Sequence, residues 1–182
     1  TQTRAPTLSI IISNYNMEKY VATAIRSCLF QTEQANQLLM MDDGSTDQSA
    51  AFMKQFHDGS RIFFYSKSNR GKARALNDLL RYVTSDYVLE LDADDFLDPN
   101  AVAVIKEQLA TLTQETAVLY GNMRRWKQIE DDLLIKGIDK GRQVRDKIDF
   151  KSYRFPLGPR IYRTSYLRKE GGFPVISLKD GR

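Results

Sequence analysis

LELDADDFLD, residues Leu89–Asp98, packs five acidic side chains into ten positions. The residues that lead into it, DYVLEL, carry the apolar alternation of a strand entering a core. Asp92, Asp94, Asp95 and Asp98 therefore crowd the exit of a buried strand, where mutual repulsion raises their cost, and something positive is expected there. Asp98 followed by Pro99 reads as a helix N-cap and first-turn pair. Val102, Ile105, Leu109 and Leu112 then recur at helical spacing. The stretch is thus one unit of strand, acidic loop and helix.

The same unit appears three times upstream. Ser9 to Ser13 (SIIIS) is a β-branched run of the kind buried on both faces. The loop NYNMEK follows, then a helical face of Val21, Ala24, Ile25, Cys28 and Leu29. QLLMM leads into DDGSTD and a helix with Phe52, Met53 and Phe56, where Ser45 and Gln48 have capping-box spacing. RIFFYS leads into KSNRG and a helix with Leu76, Leu79, Leu80 and Val83. Four such units predict an α/β fold, a mostly parallel central sheet flanked by helices and joined by right-handed crossovers. AVLYGNM reads as a fifth strand. Residues 124–154 mix charges of both signs and read as a loop-rich segment, not a second domain. A short helix is predicted from Ser165 to Lys169, ending at the glycines.

At 182 residues the chain suits one well-buried domain. A hydrophobic fraction of 42% with 27% charged residues marks an ordinary globular protein and excludes a disordered one. The net charge of +4 favours anionic partners without choosing among them. The basic 124–147 segment interleaves acids, which points to a solvated surface and not to nucleic acid. The single cysteine, Cys28, cannot form an internal disulfide, and it falls on an apolar helix face, as expected for a reducing compartment. With no apolar run of about 20 residues, the expected location is cytoplasmic, with peripheral contact at the inner face of a membrane left open.

SNYN, DDGS, SNRGKAR and DADD all fall at strand exits, the edge where parallel sheets bind ligands. DADD can be a solvated acidic loop, or it can hold a divalent ion with open positions for phosphate, which suits magnesium or manganese. An EF-hand is excluded, because Phe96 and Leu97 stand where an oxygen ligand and a glycine are needed. If the strand continues, Asp92 and Asp94 point the same way. Asp42 and Asp43 can form an acidic turn or accept from a nucleobase or ribose. Tyr15 can be a core-edge aromatic or stack on a base. Lys72 and Arg74 can be solvated or neutralise phosphate. The one histidine, His57, is expected late in a helix and remote from these loops. No Ser-His-Asp or Cys-His pair is available for nucleophilic chemistry, and no Cys/His cluster for zinc.

In order, SIIISNYN, MMDDGSTDQS, SNRGKARALN, YVLELDADDFLDP and GGFPVISLKDG resemble the inverting, nucleotide-sugar-dependent family 2 glycosyltransferases of GT-A fold. The resemblance runs from residue 8 to 181. It implies a Rossmann-like GT-A domain with a nucleotide-binding half over about 7–120 and an acceptor-side half over about 121–182, with further helices expected beyond. It also implies that Ser13, Tyr15 and Asp43 hold the base and ribose of a uridine or related nucleotide, with Asp42 beside them. Arg74 is implied as a phosphate or nucleotide contact, Asp94 as the metal carboxylate of the DxD motif, and Asp92 as its companion near the nucleotide. Asp180 falls where the family has its general base; Lys179 stands before it where the family usually has glutamate.

The expected reaction moves a sugar from a nucleoside diphosphate sugar, with UDP as the carrier, to a saccharide or lipid-linked acceptor. A manganese or magnesium ion would offset charge on the leaving diphosphate, and Asp180 would take the proton of the attacking hydroxyl. The alternative is a GT-A-like module that binds nucleotide without turnover, which the Lys179 departure keeps open. A phosphoryl-aspartate receiver leaves DDGSTD and GGF unexplained. A haloacid-type phosphatase would carry its DxD on the first strand.

Overall fold

The computed structural model describes residues 4–130, 132–146, 148–149 and 158–175. Four parallel strands form the body of the sheet: β1 (Leu8–Asn14), β2 (Gln37–Asp42), β3 (Ile62–Ser66) and β4 (Tyr87–Asp92). Helices α1 (Val21–Leu29), α2 (Ser49–Lys54) and α3 (Lys72–Leu80) connect them in turn, and α4 (Ala101–Thr111) follows β4. Two further strands, β5 (Val118–Tyr120) and β8 (Arg160–Arg163), complete a six-stranded sheet of order β3-β2-β1-β4-β8-β5. β8 runs antiparallel to both neighbours. Helix α5 (Thr164–Lys169) follows β8 directly. The expected α/β architecture is the one found.

Period-two alternation sends successive side chains to opposite faces of the sheet. On β1, Leu8, Ile10 and Ile12 join α1, α2 and α4 in one core layer, while Ile11 joins α3 in the other. β2 repeats the pattern, with Leu38 and Met40 on the first side and Leu39 and Met41 on the second. Burial on both faces explains why these strands read as continuous apolar runs. Each fully buried Leu or Ile contributes about 1.5–3 kcal/mol. The register then levels the strand ends: Asn14 lies opposite Asp42, Ser13 opposite Asp92, and Asp42 opposite Ser66. A single rim of polar loops results.

Several local expectations change. Ser45 does not cap α2, because its hydroxyl donates to Asp42 at 2.6 Å. Asp47 serves the helix entrance instead, its carboxylate accepting from the Ser49 backbone N–H at 3.0 Å. Asp98 does not cap α4 either; its carboxylate pairs with Arg124 at 3.1 Å, and Asn100 is the residue before the helix. Phe56 and His57 lie beyond the end of α2, where His57 Nδ1 accepts from Phe64 N–H at 3.1 Å. The largest correction concerns residues 124–154. Their first part is a hairpin of β6 (Met123–Ile129) and β7 (Asp132–Asp139), antiparallel with a bulge at Arg125/Trp126. Its strands face solvent widely, with Leu133, Leu134, Ile135 and Ile138 all exposed. No buried face therefore imposes the alternation that would have betrayed it. The expected fifth strand is short, and the loop of Gly121 and Asn122 separates it from β6.

Candidate active site

The rim is built by loops that hold one another. Asn14 donates its side-chain amide to Asp42 at 2.9 Å and to Ser49 at 2.8 Å. Asn16 donates its backbone N–H to Ser45, and its side-chain oxygen accepts from Thr46 N–H at 2.8 Å. With both neighbours anchored, Tyr15 between them is left 48% exposed, a ring free to stack on a ligand. Asp42 is buried, and its carboxylate accepts from Asn14, Ser45 Oγ and Ser45 N–H, so it works inside the turn. Asp43 is equally buried and accepts from the backbone N–H groups of Arg70 and Gly71 at 3.1 and 2.8 Å. Lys67 lies 3.4 Å from the same carboxylate. Asp43 thereby ties the DDGS turn to the loop that opens α3.

Ser13, Tyr15, Asp43, Lys72, Asp92 and Asp94 line one cavity of about 300 Å³. The sequence placed all six at a ligand edge, and the fold brings them together. Asp42 and Arg74 are not on that wall. Arg74 is exposed and donates to the Arg70 carbonyl at 3.3 Å. Asp180 lies outside the described residues.

Asp92, Asp94 and Asp95 offer carboxylate oxygens within 4.8 Å of one another. Asp95 N–H donates to the Asp92 carbonyl at 3.1 Å, which turns the chain back and gathers the three. Burial first, and then the charges of Asp94 and Asp92, push the Asp95 carboxyl above its ordinary value. Lys72 bonds Asp92 directly and lies 3.0 Å from Glu90. Burial opposes its charge, but these two carboxylates hold its ammonium above the usual lysine value.

Glu90 was missed by sequence reasoning as a site residue. Its carboxylate is nearly fully buried and pairs with Lys72 and, at 3.1 Å, with Arg160. The signal was present: Glu90 is two residues before Asp92 on the same strand face, a lone acid in an apolar strand. It also borders a second cavity, of about 380 Å³, walled by Asp95, Phe96, Arg124, Trp126 and Arg160 and sharing Asp92 with the first. Phe96 and Trp126 meet there with ring centroids 5.8 Å apart. Trp126 reaches this wall from the hairpin, which the sequence did not disclose. An aromatic wall beside carboxylates and guanidinium groups suits a ligand with apolar faces and many hydroxyls.

The sequence matches the model of glycosyl transferase family 2 over residues 9–169. Chondroitin synthase of Escherichia coli is 35% identical over 109 residues, 59% of this chain and 16% of that protein. An uncharacterized glycosyltransferase of Haemophilus influenzae is 37% identical over 120 residues, 64% of this chain and 47% of that protein. Staphylococcus aureus TarS in complex with UDP superposes with a TM-score of 0.65 at 20% identity, covering 92% of this chain and 49% of TarS. A mannosyltransferase of Pyrobaculum calidifontis in complex with GDP-Man and Mn2+ gives a TM-score of 0.63 at 20% identity, covering 94% and 48%. In each case the chain spans less than half of the relative.

Proposed function

This chain belongs to glycosyltransferase family 2 and has its GT-A fold, and we propose that the strand-exit rim transfers a sugar with inversion from a nucleoside diphosphate sugar, UDP being the carrier. The acceptor is a hydroxyl of a saccharide or of a lipid-linked saccharide. The observation that carries this reading is the single cavity where Tyr15, Asp43, Lys72, Asp92 and Asp94 converge from four separate loops. The chain's relatives, among them chondroitin synthase and a hyaluronan synthase of Pasteurella multocida, favour polysaccharide synthesis as the setting.

Tyr15 stacks on the base, while Asp43 and Ser13 accept from base or ribose. A carboxylate has about four acceptor positions, so Asp43 keeps capacity beyond its two backbone bonds. Asp42 acts from behind by holding the turn. Arg74, two residues beyond Lys72 in α3, is the proposed phosphate contact. The donor set of Asp92, Asp94 and Asp95 is hard oxygen at close range, which fits magnesium or manganese. Asp92 and Asp94 would hold such an ion, which when bound supplies Lewis-acid stabilisation of charge on the departing diphosphate. Asp180 takes the acceptor proton as the new bond forms on the face opposite the diphosphate. The acceptor sugar is assigned to the second cavity, against Phe96 and Trp126.

Calorimetry of UDP with and without manganese tests the donor half. Wild type should bind more tightly with the ion, and Asp94→Ala should lose that gain. Asp180→Asn should bind UDP as wild type does and release no sugar to acceptor. UDP affinity indifferent to manganese, and unaltered in Asp94→Ala, would remove the basis of the reading.

A further inference from the structure

We propose that Lys72 is a built-in counter-cation of the acidic rim, occupying on Asp92 the place that a divalent ion must take, so that ion and nucleotide binding are linked through this side chain. The inference rests on the nucleotide-sugar reading and deepens it. Its starting point is that the acid group already holds a cation. Among the described residues, Lys72 is the basic side chain paired with the Asp92, Asp94 and Asp95 group, and it bonds Asp92 itself. Two cations competing for one carboxylate repel each other, so an ion binding between Asp92 and Asp94 works against the ammonium.

The ammonium has somewhere else to go. Its side chain is 49% exposed, and Glu90 Oε1 at 3.0 Å offers a second partner that is fixed by burial and by Arg160. It also lies on the wall shared with Tyr15 and Asp43, within reach of any diphosphate bound there. Lysine binds phosphate as a mobile point charge on a flexible stem, which suits such a transfer. The ion alone therefore binds against resistance. With a diphosphate present, the displaced ammonium gains an anionic partner and the resistance falls. Linkage makes the effect reciprocal.

The test measures free manganese by electron paramagnetic resonance and UDP by calorimetry, for wild type and Lys72→Met. Without nucleotide, Lys72→Met should bind manganese about fivefold or more tightly than wild type. Without metal, it should bind UDP about fivefold or more weakly. Lys72→Arg, which keeps the charge, should resemble wild type on manganese. Manganese affinity that is unchanged or weaker in Lys72→Met overturns the proposal. Thermal melts establish that the variants are folded. If Lys72→Met is not, the wild-type protein serves: the Lys72 ammonium resonance in nitrogen-detected NMR should be protected without metal and lose that protection when magnesium is added. Persistence of the protection at saturating magnesium counts against the idea. Failure of wild type to bind UDP under any condition would instead strike the nucleotide reading and leave the manganese comparison intact.

Discussion

Cys28 and Glu90 are both buried polar groups, and they meet the cost of burial in different ways. Glu90 is flanked by the cations of Lys72 and Arg160, each pair retaining partial solvent contact that tempers its strength. Cys28 stays neutral: burial pushes its thiol up to about 12, far outweighing the hydrogen bond from Ser27. A native thiol so held is inert toward alkylation, and iodoacetamide should label Cys28 only as fast as the protein unfolds. The pH consequence has a definite sign. The folded value lies above the unfolded one of about 8.5, so the neutral thiol contributes its full stability below that pH, and the contribution is lost as pH rises toward about 12. Urea unfolding of wild type against Cys28→Ala should show a stability gap that narrows across this window. A gap independent of pH would show that the thiol does not stay neutral in the fold. Cys28's burial was legible because helical spacing alone places it among Val21, Ala24 and Ile25. The partners of Glu90 were not legible, since Lys72 and Arg160 lie 18 and 70 positions away in the chain.

Among the elements, the turn after β2 bears the tightest steric constraint from neighbouring backbone. Gly44 has φ +79°, and a Cβ there would meet the Asn69 backbone nitrogen at 2.7 Å and the Lys67 carbonyl at 3.2 Å. The close approach lets Asp43 reach the N–H groups of Arg70 and Gly71, so the two loops form one platform under the first cavity. Gly44→Ala combines an unfavourable left-handed conformation with a clash against backbone, which cannot rotate away. It should cost about 1–3 kcal/mol of stability, read as a lower urea midpoint. It should also weaken UDP binding by displacing Asp43, whereas Gly71→Ala, with φ +90° but open space at its Cβ, should disturb binding less. Equal losses in both variants would argue against the close-packing account. The Asp-Gly pair made a turn readable here from local chemistry alone. Nothing local revealed what the turn presses against. The β6–β7 hairpin was hidden for the opposite reason: both of its faces meet water, so Arg125, Lys127, Gln128 and Lys136 read as a charged loop while the backbone paired.

For the molecule as a whole, the motif at its far end connects to the motif that opens α3. Gly171 and Gly172 adopt φ +85° and +90°, and Gly172 N–H donates to the Leu167 carbonyl at 2.8 Å, closing α5 with a left-handed exit. That exit delivers Phe173 into the core layer of α3, edge-on to Tyr162 at 5.5 Å. There Asn77 grips its backbone twice, accepting from Phe173 N–H at 2.7 Å and donating to the Phe173 carbonyl at 2.9 Å. A Cβ at Gly172 would meet Asn77 Oδ1, so the glycine and the asparagine fit as a pair. The two signature stretches, RALN and GGF, are thus the two sides of one joint that sequence order separates by 96 positions. Asp180, the proposed base, follows Phe173 by seven positions in the chain. Asn77→Ala removes both bonds at a part-buried site and should lower stability by about 1–3 kcal/mol. Because Asn77 is not on the wall of the first cavity, UDP affinity should hold near wild type while sugar transfer falls at least severalfold. Calorimetry beside a transfer assay separates the two effects. If transfer survives undiminished while the melting point drops, the joint serves folding alone and the base is positioned by other means.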